Sequence, residues 1–362
     1  EAKPGNTVFL TIDSRLQKVA NESLAKAIQS SGQPDCIAGG VVALSVKDFS
    51  VLAAATYPSY DLAKLTEPGY YSQLANDKAN PLFNRAFQGA FAPGSIFKPL
   101  VACGALEEGV LTTEDKIKCV GIYHYPGHNF TTKCLGVHGN ADLNYAMAKS
   151  CNVYFSEAGR RLGIENMNLY AKRFGLGVKT GIELTETTGI LAGPEYSRSI
   201  GSRWSNLVTI KAAIGQSDNQ FSPLQLATYV ATIANGGNRY RPHLIRKITD
   251  YRRENIVMEN NPDSPELVET AGVSEEHLNM VKTAMRQVVL SGTATNFNGY
   301  MVPVAAKTGT AQNNGSDHTT FICFAPYENP EIAIAVVVEH GAKGMVSKIV
   351  AKDIMDAYFS NK

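Results

Sequence analysis

A serine and a lysine stand three residues apart in GAFAPGSIFKPLVACGAL, residues 89–106, just after Pro93 and Gly94, where the pattern predicts the start of a helix. On a helix, Ser95 and Lys98 share one face with their tips close together. A serine alone at such a place is commonly only a cap. The lysine changes the chemistry. Held away from water it loses its proton near neutral pH, because burial disfavours the ammonium, and it can then act as the base that a serine nucleophile needs. Free N–H groups at a helix start can also stabilise negative charge on an attacked carbonyl. Pro99 is tolerated there, since a missing donor costs least near a helix start.

Two further stretches carry polar groups of the right kind. AKSCNVYF supplies Ser150 and Asn152, and AAKTGTAQ supplies Lys307, Thr308, Gly309 and Thr310 on an apolar strand. Met singly, Ser150 is a filler, Asn152 a helix cap and Lys307 a solvated strand end. Between the first two stretches, CVGIYHYPGHNFTTKCLGVHGNAD packs Cys119, His124, His128, Cys134, His138 and Asp142 into one loop-rich segment. Cys119, Cys134 and His138 could present three ligands to zinc, with Asp142 or one of His124 and His128 as the fourth. A Cys119–Cys134 disulfide and unpaired thiols are the competing readings, and Asp142 could instead cap the helix of LNYAMAKS. Cys103 and Cys151 read as buried small hydrophobes. Cys36 and Cys323 give no signal. His318, after the Lys-Thr-Gly strand, is a candidate for lining the cleft.

The elements that must position these residues follow from periodicity. VFLTIDSRLQKVANESLAKAI reads as a short strand and then a helix, with Leu16, Val19, Ala20, Leu24 and Ile28 near helical period. GGVVALSVKDFSVLAAATY reads as a buried hairpin, and three more apolar runs lie near the far end of the chain. SKIVAKDIMDAYF closes it as an amphipathic helix with Ile349, Ile354, Met355 and Tyr358 largely on one side. Between the ends the patterns are mostly helical; in FSPLQLATYVATIANGG, Ser222, Pro223 and Gln225 form a start signal and Gly236 and Gly237 a stop. The expected fold is therefore α+β: an antiparallel sheet built from both chain ends and flanked by helices, with a mostly helical subdomain inserted. The sheet part spans approximately residues 1–90 and 290–362, the helical part approximately 91–289, within one domain covering 1–362.

With 362 residues, 44% apolar content and a net charge of +1, the chain is globular, and no basic stripe suggests nucleic acid. It has no apolar run long enough to span a bilayer and no leader pattern. Six scattered cysteines do not make a disulfide-built scaffold in a chain of this length.

Ser-x-x-Lys, Ser-x-Asn and Lys-Thr-Gly, in that order, form the signature of the penicillin-recognising serine acyltransferases. LTIDSRLQ, LAAATYPSYDL, NPLFNRAFQGAFAPGSIFKP, AIGQSDNQFSPLQLATYVATIANGG and FAPYENPEIAIAVVVEHG extend the likeness over nearly the whole chain, which resembles the transpeptidase domain of class B penicillin-binding proteins. The resemblance implies a D,D-transpeptidase inhibited by beta-lactams. Ser95 would attack the penultimate D-alanine carbonyl of a peptidoglycan stem peptide, Lys98 would take its proton, and Ser150 would relay that proton to the leaving nitrogen. Asn152 would hold the substrate amide, while Lys307, Thr308 and Thr310 would hold the terminal carboxylate. Gly309 would let the substrate lie against the strand edge, and the backbone N–H groups of Ser95 and Thr310 would form the oxyanion hole. An amine from a second stem peptide would then resolve the acyl-enzyme. Catalysis would need no cofactor. Tyr57, Tyr60 and Asp61 would pack around the hairpin. The family further implies a membrane glycosyltransferase partner, and a place at the extracytoplasmic face of the bacterial membrane, with the membrane segment and pedestal preceding Glu1. A serine beta-lactamase and a non-catalytic beta-lactam sensor are the alternatives.

Overall fold

The computed structural model describes residues 4–342 and 344–360. Its main sheet has five strands, β1 (Ala38–Ser45), β2 (Val51–Tyr57), β3 (Ala305–Ala311), β4 (His318–Ala325) and β5 (Ile332–Glu339). They run antiparallel in the order β3-β4-β5-β1-β2, so the two ends of the chain meet where Val336 of β5 lies opposite Val41 of β1. Burial explains the order. Val41 to Leu44 and Ile332 to Val338 are buried without a break, as interior strands covered on both faces must be, whereas β2 at one edge alternates. β3 forms the other edge, and among the described residues no strand neighbours the far side of its Lys307–Thr310 backbone.

Helix α1 (Ser14–Gln29) covers the sheet; Asp13 caps it by accepting from the N–H groups of Arg15 and Leu16, and Leu16, Ala20, Leu24 and Ile28 face inward while Val19 is half-buried. The helices that position the site are α2 (Lys98–Glu107), α3 (Leu143–Ala148), α4 (Asn152–Leu162), α5 (Pro223–Ala234), α6 (Glu275–Leu290) and α7 (Met345–Phe359). α1 and α7 pack together, and α5 lies against β1 and β5. Ser222 and Gln225 close a complete capping box at the start of α5, which is buried along its whole length. Tyr229 on α5 donates its hydroxyl to the carbonyl of Ile96 at 3.3 Å, supporting the turn that carries Ser95 from beneath.

Three details differ from the sequence reading. The first strand, Thr7–Leu10, stays out of the main sheet and pairs with Ile245–Thr249, which also pairs with Ile256–Glu259; its alternating burial suits a small sheet with one open face. The inserted part also contains short strand pairs, Ile117–Cys119 with Gly139–Ala141 and Ile122–His124 with Thr131–Lys133. On α7, Ile354 and Met355 are buried but Ile349 is 43% exposed, because it projects away from the face that meets α1.

Candidate active site

Ser95 sits in a single 3-10 turn, Gly94–Phe97, and Lys98 opens α2 directly after it. The turn is wedged against β3. Gly94 has φ +59°, and a Cβ there would stand 2.5 Å from the carbonyl oxygen of Thr310. Across the contact, a Cβ on Gly309 would come within 2.1 Å of Thr320 Oγ1 and 2.8 Å of the Pro93 carbonyl. Thr320 Oγ1 donates to that same carbonyl at 2.7 Å. The space at Gly309 therefore faces inward, toward the turn that carries Ser95. Room for a substrate, the reason read from sequence, is not what the missing side chain provides.

Lys98 is fully buried, and its Nζ donates to the Ser150 carbonyl at 2.7 Å, to Ser150 Oγ at 3.1 Å and to Asn152 Oδ1 at 2.7 Å. Burial pushes its pKa down to about 7. Lys307 is equally buried and donates to Ser150 Oγ at 3.0 Å and to the Thr308 carbonyl at 2.9 Å. Its ammonium is held well below the usual lysine range by burial and then by the nearby charge of Lys98. The Ser150 hydroxyl thus stands between two buried amines that repel each other when both are charged. Such a pair readily keeps one member neutral near pH 7. Ser150 reaches this place through a left-handed backbone, φ +54°, in the short link between α3 and α4. For a residue other than glycine that conformation is strained, and here it aims a side chain between two lysines.

Ser95, Ser150, Asn152, Thr308, Gly309 and Thr310 all line one cleft of about 1040 Å³. Two residues the sequence did not single out join them. Gln216 donates Nε2 to the Thr310 carbonyl at 3.3 Å, and Thr293 shares a hydrogen bond with Thr308 through their hydroxyls. Neither stood out, since a glutamine or threonine outside a chemical motif gives no signal. His318 is not among the residues lining the cleft; it is largely buried beside His340 and edge-on to Phe91. Tyr57 and Asp61 take structural roles, Tyr57 accepting from Gln29 and Asp61 capping a short turn through Ala63.

Next to the cleft, Cys119, Cys134, His138 and Cys151 bring their ligand atoms within 4.8 Å of one another. Both Cys119 Sγ and Cys134 Sγ lie 3.5 Å from His138 Nδ1, and Cys134 Sγ lies 3.8 Å from Cys151 Sγ. Around a tetrahedral zinc, with Zn–S of about 2.3 Å and Zn–N of about 2.0 Å, donor atoms stand roughly 3.5–3.8 Å apart. The donor set and its spacing fit that ion. The hydrogen bond that Cys134 and Cys151 share holds Cys134 below the usual thiol range and Cys151 above it, so an ion binding here would have to displace the proton between them. All six cysteines are free, which leaves no Cys119–Cys134 disulfide.

Asp142 lies outside this group. Its Oδ1 accepts from the Tyr145 N–H at 2.8 Å and caps α3, and Cys151 rather than Asp142 completes the cluster. An acidic residue before a helix satisfies the orphan N–H groups locally, and here that need claims it. His124 and His128 are also outside; His124 lies in a strand pair and His128 packs on Tyr125.

Residues 39–356 match the model of the penicillin binding protein transpeptidase domain. The chain belongs to that family. Within it the likeness is to class B penicillin-binding proteins. The peptidoglycan D,D-transpeptidase MrdA of Acinetobacter baumannii is 34% identical, over 97% of this chain and 54% of its own. That of Haemophilus influenzae is 32% identical, over 100% of this chain and 57% of its own. The chain thus spans little more than half the length of these relatives. Among solved structures, Pseudomonas aeruginosa PBP2 in complex with WCK 5153 superposes with a TM-score of 0.86 at 32% identity, over 98% of this chain and 76% of that one. The penicillin G acyl-enzyme complex of penicillin-binding protein A from M. tuberculosis gives 0.83 at 26% identity, over 98% of this chain and 81% of that one.

In this penicillin-binding domain the sulfur cluster is continuous with the Ser-x-Asn motif. Cys151, the middle residue of Ser150-Cys151-Asn152, caps α4 by accepting from the Tyr154 N–H, and Asn152 Nδ2 donates to the Lys133 carbonyl at 3.0 Å. Cys151 is the member of the cluster that the sequence reading did not name as a candidate ligand. The available signal was its place as a third cysteine within reach of the same segment once Asp142 is accounted for as a cap.

Proposed function

We propose that the domain is a D,D-transpeptidase that cross-links peptidoglycan stem peptides through an acyl-enzyme on Ser95. The observation that carries this reading is the Ser150 hydroxyl, within hydrogen-bond reach of both Lys98 and Lys307 in the cleft that Ser95 lines. Neutral Lys98 takes the Ser95 proton as Ser95 Oγ attacks the carbonyl of the penultimate D-alanine. The carbonyl oxygen gains negative charge, which the N–H groups of Ser95 and Thr310 stabilise. As the C–N bond breaks, the proton on Lys98 passes through Ser150 to the leaving nitrogen, and D-alanine departs. A second peptide's amine then attacks the acyl carbon and returns a proton along the same path. Asn152 orients the donor amide, and Thr308, Thr310 and Lys307 receive its terminal carboxylate.

The cluster of Cys119, Cys134, His138 and Cys151 is suited to a structural zinc ion, which when bound ties four positions of the chain together and supplies no nucleophile. The whole chain acts as a single domain, with the sheet and helical parts forming the two walls of the cleft; the family match over residues 39–356 supports this. Among the described residues no helix is long and apolar enough to cross a membrane. By kinship with its relatives, the domain works at the extracytoplasmic face of the membrane, alongside a glycosyltransferase. A solved neighbour described as a peptidoglycan synthase complex that coordinates polymerization and crosslinking supports that partnership.

The test has two arms. Fluorescent penicillin should label the protein with an adduct that persists for hours, and Ser95→Ala should abolish labelling while leaving the Tm nearly unchanged. A stem-peptide thioester offered with a D-amino acid should give transfer product. Labelling of the Ser95→Ala protein would overturn the nucleophile. An adduct lost within seconds would point to a beta-lactamase, and a stable adduct without transfer to a sensor.

A further inference from the structure

A donor carboxylate arriving at Thr308 and Thr310 needs a cation, and Lys307 is poorly placed to be the whole answer. Two of its three donors are engaged by Ser150 Oγ and the Thr308 carbonyl, and burial disfavours its charge. A second cation stands nearby. The loop Ser291–Gly292–Thr293 follows α6 and reaches the cleft, where the Thr293 hydroxyl meets that of Thr308. Lysines hold two of its carbonyls: Lys149 Nζ donates to Ser291 at 2.7 Å and Lys348 Nζ to Thr293 at 3.3 Å.

The two lysines differ in where they sit. Lys348, on α7, lines the cleft itself and is half-buried. No carboxylate pairs with it among the described residues, and burial alone lowers its pKa. One neutral acceptor at 3.3 Å leaves most of an ammonium's hydrogen-bonding capacity unspent. A half-buried cation without a counter-ion is costly to hold, and a place that keeps one beside a polar cleft is suited to an incoming anion. The other charged residues lining the cleft are Lys133, Lys211 and Asp317; Lys133 and Lys211 are exposed, and Lys211 lies over the Phe130 ring.

We propose that Thr293 and Lys348 form the outer half of the carboxylate pocket, Thr293 adding a hydroxyl beside Thr308 and Lys348 supplying the positive charge that selects donors ending in a free carboxylate. This deepens the proposed transpeptidase reading and rests on it.

The experiment compares acylation by benzylpenicillin, which carries a free carboxylate, with acylation by its methyl ester, in the unsubstituted protein and in Lys348→Met and Lys348→Arg. Lys348→Met should lower the second-order acylation rate for benzylpenicillin about tenfold, the scale of one solvent-screened charge contact. It should do so through weaker binding with the limiting acylation rate kept. The rate for the methyl ester should stay within about twofold, and Lys348→Arg should retain most of the benzylpenicillin rate. Equal losses for acid and ester would make Lys348 a structural support of the loop and overturn the proposal, as would no loss at all. Should Lys348→Met melt early, Lys348→Gln serves the same comparison. Failure of the unsubstituted protein to be labelled by penicillin would overturn the transpeptidase reading itself, a result distinct from any change in the acid-to-ester ratio.

Discussion

Asn152 donates its backbone N–H to the sulfur of Cys134 at 3.2 Å while its side-chain oxygen accepts from Lys98 at 2.7 Å. One residue thus touches both the sulfur cluster and the buried base. Cys151 sits between Ser150 and Asn152 in sequence and contributes to the same cluster. All three acceptors of Lys98 belong to Ser150 and Asn152, the two neighbours of Cys151, so a shift of this short backbone stretch that spreads the cluster also disturbs the seat of Lys98.

If the cluster holds zinc as proposed, removing the ion should affect more than stability. Protein purified without added zinc should contain close to one equivalent by elemental analysis, and Cys134→Ser and Cys151→Ser should each lose it. Chelation should lower the Tm and slow acylation by penicillin, because ligands in an unfolded chain bind metal poorly and the ion's binding energy is then folding energy. Asp142→Ala should keep the metal and lose only a helix cap, a cost of about 1 kcal/mol. Loss of metal in Asp142→Ala with retention in Cys151→Ser would reverse the assignment.

Acylation should depend on pH in one direction through the neutral range. As the base of the proposed reaction Lys98 would act only without its proton, and burial brings its pKa to about 7. Below that value the neutral fraction falls, so the acylation rate should drop roughly tenfold per pH unit, and above it the rate should level off. The same depressed pKa makes stability rise with pH between about 7 and the ordinary lysine value, since the unfolded chain binds the proton that the folded one refuses. Lys98→Arg should lose acylation by roughly a hundredfold or more, because a guanidinium keeps its proton throughout this range. A rate flat from pH 5 to 8, or near-normal acylation by the arginine variant, would mean that another group takes the proton.

How much of this was legible in the sequence depends on how local each signal is. Ser95, Lys98, Ser150, Asn152 and Lys307 lie in three short motifs whose spacing survives in the linear chain, and hydrogen bonds link four of the five around Ser150. The central strands were legible for a similar reason, since unbroken apolar runs such as Ile332 to Val338 suit only an interior position. The fourth member of the sulfur cluster was not. Cys151 reads as a small hydrophobe until the turn after α3 folds it back toward Cys134, and Asp142 reads equally well as ligand or cap until the helix behind it is seen. The first strand reads as part of a sheet built from both chain ends, but its partner, Ile245–Thr249, lies more than two hundred residues away. Thr293 and Lys348 carry no motif, and only the fold brings them beside Thr308 and the cleft.

Gly309 separates two explanations of the same residue. Were it small only to admit substrate, Gly309→Ala would weaken acylation and leave the melting temperature unchanged. The structure aims the new methyl group elsewhere, within 2.1 Å of Thr320 Oγ1 and 2.8 Å of the Pro93 carbonyl, two atoms already bonded to each other. Strand β3 and the Ser95 turn cannot both keep their places around it. Forcing a methyl into so tight a contact should cost about 1–3 kcal/mol of stability. It should also push the nucleophile turn away from Thr310, so that the acylation rate falls along with the Tm. Replacing Thr320 with alanine in the same protein removes the nearest clash but leaves the Pro93 carbonyl, and should restore part of the loss rather than all of it. A Gly309→Ala protein with an unchanged Tm and a reduced acylation rate would return the residue to the substrate side of the strand.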